Sequence, residues 1–492
     1  MSKAVVIGAG VGGLAIALRL RNLGYEVVVV ERSNGYGGKL RRYEQDGFVF
    51  DLGPSLFTLP AVYRDLFLKT GKSLEEEIEL IALDTAFRYR FEDGSFLTLP
   101  GNSPKRISTA IAQQISPKAG EEWLKFILRA GDMWQITRSR VLEQPITSIK
   151  DFGKVTLNQI ATIAPWKSLR GLARQYLSDP RLQNLVDRYA TYTGSDSRKL
   201  PAAYATIPYV EQEFGAFHIK GGITKLADAL YRRCIERGVT FHFDTEVRKL
   251  IVKNGVAEGV MTSRENFDAD IVIVNADAQT FYEQIVTEDT QERKKLRQQP
   301  SSLSGFILCL AVDGKTPALE HHNVWLTGNY DKEFDEIFNT PKPLSDPTIY
   351  ACVPQDDSMS PQNCESWFIL INAPIHNPAT GVDWDEQGLK ESYADFILDL
   401  LAKRGTDIRS RVRWRKIITP ADMQRDFNAP GGSIYSTASH GVFTTFQRTK
   451  NTTAFPNVYL VGGSTHPGGG LPLVAMSAEI VANLIKHRHH TS

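Results

Sequence analysis

The sequence predicts an α/β protein in which a parallel sheet with helices on both sides is built from separated segments of the chain. Three observations predict this class. The N-terminus has the pattern of a strand, a glycine-rich turn, a helix and a second strand, which together form one βαβ unit. Apolar, strand-like segments return at residues 269–275 and 458–461. The mixed pattern between these segments predicts an inserted second domain of α+β character.

The first unit has clear boundaries. Residues 3–8 are typical of a short buried strand, and residues 10–23 of a helix that stops at Gly24. Residues 25–31 form a second strand, whose nearly continuous valines indicate burial on both faces of a parallel sheet.

The middle of the chain alternates between helix and strand patterns. A hairpin is expected at residues 86–99, where apolar and polar residues alternate around Asp93 and Gly94. Ser116 and Pro117 are a good N-cap and first residue of a helix, whose apolar spacing continues until Pro145. The other expected elements are helices in 156–195, sheet at 239–252, mixed strands in 304–413 with a helix near 386–404, and a last helix from about Leu473 to Lys486.

Composition excludes several classes of protein. The chain has 492 residues, of which 42% are hydrophobic and 23% charged, with a net charge of +1, so it is globular and has no basic excess for nucleic acid. Four scattered cysteines predict neither a disulfide framework nor a metal cluster and favour a reducing cytosol. The pair His321 and His322 is interpreted as a solvated loop pair rather than a metal site. The sequence contains no run of eighteen apolar residues, so no membrane span is predicted.

Residues 8–13 carry a dinucleotide fingerprint. Gly8, Gly10 and Gly13 have the GxGxxG spacing, which allows a tight turn, close approach to a pyrophosphate and close packing of helix on strand. The phosphates would lie at the positive end of the helix dipole. Glu31 ends the second strand, where a carboxylate can accept both hydroxyls of an adenosine ribose, and Arg32 is expected to pack on the adenosine.

Two further glycine motifs decide the cofactor. Residues 35–40 (GYGGKL) resemble the extended fingerprint of the amine-oxidase-like flavoproteins, in which this loop reaches past the pyrophosphate towards the flavin. Residues 461–472 (VGGSTHPGGGLP) resemble the C-terminal signature of bacterial-type phytoene desaturases and related carotenoid desaturases. Ser464 stands where many members of the wider superfamily have an acid, which fits the carotenoid branch. Smaller matches lie at residues 192–195, 220–222, 245–247, 269–276 and 432–435, so the resemblance spans nearly the whole chain.

The resemblance implies a Rossmann-like FAD-binding domain made of residues 1–85, 210–290 and 420–492. It implies a substrate-binding domain made of residues 86–209 and 291–419, with a helical segment at 104–195 that could face a membrane. The cofactor is expected to be FAD, and no metal is expected. The residues expected to hold FAD are Gly8, Gly10, Gly12, Gly13, Glu31, Arg32, Gly38, Lys39, Leu40, Val247, Gly463, Ser464, Leu473 and Val474.

The implied activity is FAD-dependent desaturation of a hydrophobic carotenoid, with oxygen or a quinone as the final electron acceptor. The alternatives on the same fold are carotenoid cis–trans isomerisation, oxidation of a terminal carotenoid methyl group, and a non-enzymatic prenyl-binding escort. No catalytic residue is assigned. His466 is expected either to contact substrate or to brace the glycine turn through a backbone hydrogen bond.

A membrane-surface role is also expected, because a carotenoid must be collected from a bilayer. Residues 152–178 contain Lys154, Lys167, Arg170 and Arg174 and no acidic residue, interleaved with large apolar residues. This pattern is typical of a basic amphipathic surface segment. The same pattern is typical of a core-facing helix with a solvated basic side. The lipid hypothesis places the protein in the cytoplasm, peripherally associated with the membrane.

Overall fold

The computed structural model describes residues 1–146, 155–288, 290–442 and 444–491. Its strands, in chain order, are β1 Lys3–Ile7, β2 Glu26–Val30, β3 Arg42–Gln45, β4 Phe48–Asp51, β5 Leu80–Ala82, β6 Thr85–Arg90, β7 Phe96–Pro100, β8 Phe217–Ile219, β9 Thr240–His242, β10 Val247–Lys253, β11 Val256–Thr262, β12 Asn266–Asp268, β13 Ile271–Val274, β14 Ser304–Asp313, β15 His322–Trp325, β16 Ile349–Cys352, β17 Cys364–Ala373, β18 Val412–Ile418 and β19 Val458–Leu460.

Its helices are α1 Val11–Asn22, α2 Ala61–Lys69, α3 Pro104–Gln114, α4 Pro117–Thr137, α5 Leu157–Ile163, α6 Leu169–Tyr176, α7 Pro180–Thr191, α8 Thr206–Phe214, α9 Lys225–Glu236, α10 Ala278–Thr280, α11 Gln291–Gln298, α12 Tyr330–Phe338, α13 Leu389–Lys403, α14 Pro420–Phe427, α15 Thr444–Gln447 and α16 Leu471–Thr491.

Five of the described strands form a parallel sheet in the order β19-β13-β1-β2-β9. Helices α1, α2, α9 and α16 cover one face of this sheet with a continuous apolar core. The antiparallel sheet β10-β11-β12 and the short helical turns after β13 cover the other face. The parallel α/β unit expected at the N-terminus is therefore confirmed, and its sheet draws strands from both ends of the chain.

Seven described strands form a second, mixed sheet in the order β18-β14-β17-β16-β15-β6-β7. The predicted hairpin is present as β6 and β7, which turn at Gly94 with φ of 81°. Helices α3, α4, α6, α7 and α8 pack on one side of this sheet, and α13 packs in a separate apolar core. The second sheet is thus assembled from residues predicted to form the substrate domain, while the domain boundaries themselves stay a prediction.

Two element boundaries differ from the sequence-based expectation. The segment 239–252 contains two strands in different sheets, because Asp244 between them adopts a left-handed conformation with φ of 50°. The last helix begins at Leu471 and not near Leu473, so Pro472 lies in its first turn, where a missing N–H costs nothing. The cap of α4 is as predicted, since Ser116 Oγ accepts from the Ala119 N–H at 3.2 Å.

The prediction of a solvated histidine pair is wrong. His321 and His322 are both buried at the start of β15, which lies inside the second sheet between β16 and β6. His322 shares a hydrogen bond of 2.8 Å between its Nδ1 and the Tyr350 hydroxyl. The four cysteines are free and buried.

The basic segment does not behave as one amphipathic surface. Phe152 and Lys154 lie outside the described residues. Arg170 is buried and forms ion pairs with Asp187, at 2.8 Å, and with Asp331. Leu169 and Leu172 are core residues, so α6 is a core-facing helix. Across the part of the chain that is described, no helix has the length and apolar character required to cross a bilayer.

Candidate cofactor and substrate site

The turn between β1 and α1 is a glycine cradle that leaves no room for side chains. A Cβ atom on Gly13 would overlap the Gly8 carbonyl oxygen, which explains the close packing of helix on strand. A Cβ atom on Gly12 would overlap Asn275 Oδ1 and would lie 3.3 Å from the Gly462 Cα. Gly8 has φ of 95°, a conformation that favours glycine.

The two ends of the chain meet at Asn275, which follows β13. Its side chain lies between the first cradle and the C-terminal glycine turn, and a Cβ atom on Gly462 would be 2.8 Å from Asn275 Oδ1. Gly462 has φ of 108°. Helices α1 and α16 share the core on the same face of the parallel sheet. The first and last segments of the chain therefore form one continuous surface.

Glu31 is held at the end of β2 by the cradle itself. Its Oε2 accepts from the Ala9 N–H at 2.8 Å, and its Oε1 accepts from the N–H and hydroxyl of Ser33 at 2.8 Å and 2.7 Å. A carboxylate has about four lone-pair directions, so it can accept further hydroxyl groups from a ribose. Arg32 is tied differently, since its guanidinium donates to the carbonyls of Arg425 and Asp426.

The loop at residues 35–40 turns back onto the cradle. Gly37 and Gly38 have φ of 99° and 62°, and a Cβ atom on Gly38 would be 3.0 Å from the Gly10 Cα. Lys39 Nζ donates to the carbonyls of Ser433 and Ile434 at 3.2 Å and 2.7 Å. Burial lowers the pKa of Lys39.

The C-terminal glycine turn is braced by Arg448, which the sequence analysis did not single out. Its half-buried guanidinium donates to the carbonyls of Gly463 and, at 3.0 Å, Thr465. Burial lowers the pKa of Arg448 below its ordinary value. Ser464 Oγ accepts from the Ala278 N–H at 3.0 Å, which links the turn to the segment after β13.

His466 braces the C-terminal glycine turn through a hydrogen bond to a backbone carbonyl. Its Nε2 lies 3.0 Å from the Gln144 carbonyl oxygen, which joins the turn to the segment that follows α4. Burial lowers the pKa of His466 to about 4, so the ring is neutral at pH 7. His466 also lines the cavity that begins at the glycine cradle.

One continuous cavity of about 1010 Å³ runs from the glycine cradle into the space between the two sheets. All of the residues predicted to hold the cofactor line it except Gly13, which lies behind the turn. Away from the cradle the cavity has an apolar chamber, which is lined by Leu56, Phe87, Trp134, Ile207, Val210, Ile307, Phe368 and Leu370.

The cradle fits a dinucleotide. Within the described chain, no side chain caps the N-terminus of α1, so the first-turn amides and the positive end of the helix dipole face the cavity. Glu31 lines the cavity at the end of β2, and Gly463, Leu473 and Val474 line it from the C-terminal turn and α16. This arrangement has room for a group that extends from the cradle towards the apolar chamber, as the isoalloxazine ring of FAD requires.

Residues 11–486 match the family model of flavin containing amine oxidoreductases. The chain belongs to this family. Its cofactor is FAD, and the activity is that of an oxidoreductase.

Relatives and solved structures agree with this assignment. The chain is 34% identical over 495 residues to the 1-hydroxycarotenoid 3,4-desaturase of Flavobacterium sp. (strain P99-3), with 99% of each chain covered. It is 29% identical over 493 residues to the 4,4'-diapolycopene oxygenase of Methylomonas sp., with 98% of each covered. A crystal structure of an oxidoreductase from Methanosarcina mazei has a TM-score of 0.62 and 20% identity, and the match covers 98% of this chain and 100% of that one. The similarity to this crystal structure shows the fold of the flavoenzyme and nothing about its substrate.

Several cavity residues of the flavoenzyme escaped the sequence analysis. Asn275 and Asp277 follow β13, and Arg188 and Glu211 lie on α7 and α8. Burial raises the pKa of the Asp277 carboxyl, which faces the cavity near Lys39. The position of Asn275 and Asp277 at the carboxyl end of a parallel strand was a usable signal, because ligands bind at that edge. Arg188 and Glu211 lie in ordinary amphipathic helices, so the sequence around them contains no signal of a binding site.

Proposed function

We propose that this flavoenzyme is a carotenoid desaturase, which removes two hydrogens from a long isoprenoid polyene and so extends its conjugation. The observation that carries this proposal is the single cavity that joins the glycine cradle to the apolar chamber. A long apolar substrate can lie in the chamber while its reacting carbons approach the cofactor end. The desaturase named among the relatives supports the same substrate class.

The residues that we propose to hold FAD are those predicted from the sequence. Glu31 accepts the ribose hydroxyls, the glycines of the cradle give the pyrophosphate access to backbone amides, and residues 463–474 border the ring. When bound, FAD supplies the acceptor for the hydride that leaves the substrate. The chain itself aligns the polyene and excludes water from the chamber, which is the main requirement for this chemistry.

A second candidate is oxidation of a terminal methyl group, because the Methylomonas relative is named an oxygenase. Cis–trans isomerisation is a third reaction that this site could support. The mass of the product separates all three: desaturation lowers it by two hydrogens for each step, oxygenation adds oxygen, and isomerisation leaves it unchanged.

We therefore expect the FAD-loaded protein to convert an acyclic carotene or hydroxycarotene into a product that lacks two hydrogens. Val210→Trp should keep FAD but lower turnover at least about tenfold, because the larger ring fills the chamber. The matched control is Val256→Trp on β11, which is exposed. Liquid chromatography with mass spectrometry measures both. An unchanged product mass with wild-type protein, or equal turnover by the two variants, would contradict the proposal.

We further propose that the mouth of the chamber docks on a membrane surface, with the protein in the cytoplasm. Ile160 and Ile163 of α5 line the cavity, and Leu157 on the same helix is 85% exposed. Trp166, a few residues later, is 64% exposed. Exposed apolar side chains beside an apolar opening favour contact with lipid. This surface takes the place of the whole basic segment 152–178 as the proposed membrane contact, because Arg170 is buried and forms an ion pair with Asp187.

The double variant Leu157→Ser with Trp166→Ser should bind liposomes at least about tenfold more weakly, because each apolar side chain contributes roughly 1.5 kcal/mol or more when buried. Met261→Ser on β11 is the matched control, since Met261 is also exposed, at 43%. Co-sedimentation with vesicles of zwitterionic and anionic lipid gives the partition coefficients. Equal binding by all three proteins would rule this surface out.

The final electron acceptor is proposed to be oxygen or a quinone. Turnover with a short-chain quinone under anaerobic conditions would assign the quinone, and turnover that requires air would assign oxygen.

A further inference from the structure

Arg188 is a buried cation in the wall of the chamber. It lies near the end of α7, is 5% exposed and lines the cavity. Its Nη1 donates to the Tyr192 hydroxyl at 2.7 Å. Among the described residues its guanidinium forms no ion pair with a carboxylate. A buried charge without such a partner is costly, so its position needs a specific explanation.

Aromatic rings fix the guanidinium in place. It lies 5.0 Å from the ring centres of Phe87 and Tyr192, 5.6 Å from that of Tyr89 and 5.7 Å from that of Tyr350. These cation–π contacts stabilise the charge without using its N–H donors. The rings therefore hold Arg188 rigidly at the chamber wall.

The carboxylate of Glu211 is linked to the charge of Arg188 through one intervening hydroxyl group, that of Tyr192. The Tyr192 hydroxyl that accepts from Arg188 donates to Glu211 Oε2 at 3.3 Å. Tyr189 donates to Glu211 Oε1 at 2.5 Å. Arg188, Tyr192 and Glu211 all line the cavity, so a polar row with a fixed geometry faces an otherwise largely apolar space.

A hydrocarbon substrate would leave the remaining N–H donors of Arg188 without a hydrogen-bond acceptor. A guanidinium has five N–H donors, and hydrogen bonding to Tyr192 uses one of them. Covering the remaining cavity-facing donors with carbon atoms removes their water and provides no acceptor, which is unfavourable. An oxygen atom on the end of a polyene would accept from them.

On the basis of the proposed function, we propose that Arg188, Tyr192 and Glu211 form a subsite for an oxygen-bearing end group of the carotenoid. The preferred substrate is then an oxygenated polyene and not the parent hydrocarbon. Sites built to hydrogen-bond a substrate hydroxyl discriminate strongly against the analogue that lacks it, because the buried polar groups lose their partner.

The subsite lies close to the glycine turn. Gly194 lies two residues after Tyr192, just beyond the end of α7. A Cβ atom on Gly194 would be 2.9 Å from the ring of Tyr435, and the same ring packs against Gly469 of the turn. The oxygenated end is therefore held near the cofactor end of the cavity, and the new double bond should form close to that end group.

The test uses a matched pair of substrates, an acyclic carotene and the same carotene with one terminal hydroxyl. We expect wild-type protein to favour the hydroxylated member at least about tenfold in kcat/KM. Arg188→Met should lower kcat/KM for the hydroxylated member by about 10- to 100-fold and leave the hydrocarbon unchanged or improved. Arg188→Lys should recover part of the preference. Flavin content and melting temperature check that each variant is folded.

Equal kcat/KM for the two substrates with wild-type protein would overturn the subsite, and this comparison holds even if Arg188→Met does not fold. A folded Arg188→Met that loses the same factor on both substrates would overturn it too. Binding measured by the shift in carotenoid absorbance separates the two proposals. Preferential binding of the hydroxylated carotene without loss of hydrogen supports the subsite and contradicts desaturation.

Discussion

Replacing Gly12 with valine is expected to lower the affinity for FAD at least about 100-fold, which corresponds to about 2.7 kcal/mol. The added side chain would meet Asn275, Val474 and the backbone of Gly462, which come from two other segments of the chain. It can avoid them only by entering the cavity, where the pyrophosphate is proposed to lie, or by forcing the two ends of the chain apart. Overpacking of this kind also destabilises the protein itself, by roughly 1–3 kcal/mol.

Gly35→Val is the matched control for this variant. It introduces the same side chain into the neighbouring loop, where a Cβ atom meets no atom within 4 Å. The ratio of flavin absorbance to protein absorbance after gel filtration, and the Kd for FAD from titration of the apoprotein, measure the effect. A Gly12→Val protein that retains FAD as well as Gly35→Val does would show that the cradle is not the cofactor site.

The parts of the fold that the sequence predicts are those with a local chemical reason. Strand β2 follows from its continuous valines, the turn between β1 and α1 from its glycines, and the hairpin of β6 and β7 from Asp93 and Gly94. The glycine-rich tail predicts where the chain must pass close to another backbone. Such signals are read from neighbouring residues, so they survive without any knowledge of the tertiary structure.

The missed residues depend on contacts between distant segments. Arg448 braces carbonyls fifteen or more positions away, and Arg188 is held by rings from β6 and β16. In both cases the side chain looks like an ordinary surface arginine in the sequence. The role of each arginine arises only from the partners that the fold places around it, and hydrophobic periodicity in the sequence gives no information about those partners.

The wrong prediction for the histidine pair and the two open interpretations of the basic segment have the same cause. His321 and His322 are polar and follow a turn-rich stretch, yet they enter a sheet strand and are buried. Arg170 belongs to a basic segment, yet Asp187 and Asp331 from other helices neutralise it. Charge and polarity in a sequence describe a side chain, whereas its exposure is decided by partners elsewhere in the chain.

Acid is expected to destabilise the folded protein through histidines that burial keeps neutral. Burial lowers the pKa of His321 to about 3 and those of His440 and His466 to about 4, and it lowers the pKa of His322 well below its ordinary value. Between the ordinary value of 6.5 and these lower values, the unfolded chain binds protons that the folded chain does not. The stability is therefore fully present above about pH 6.5 and is lost as the pH falls towards 4. Buried carboxyls such as Glu211, whose pKa burial raises, act in the opposite direction.

The substitution His440→Gln measures the contribution of one of these histidines to the pH dependence of stability. His440 Nε2 accepts from the Asp196 N–H at 2.9 Å, and a glutamine carbonyl oxygen can accept from the same group without taking up a proton. A pKa shift from 6.5 to about 4 corresponds to about 3 kcal/mol at full effect. We expect the free energy of unfolding of the FAD-loaded variant to fall less than that of wild type, by about 2–3 kcal/mol, between about pH 8 and about pH 4.5. Denaturant unfolding at a series of pH values measures this difference, and parallel curves would mean that His440 takes up its proton equally well in the folded chain.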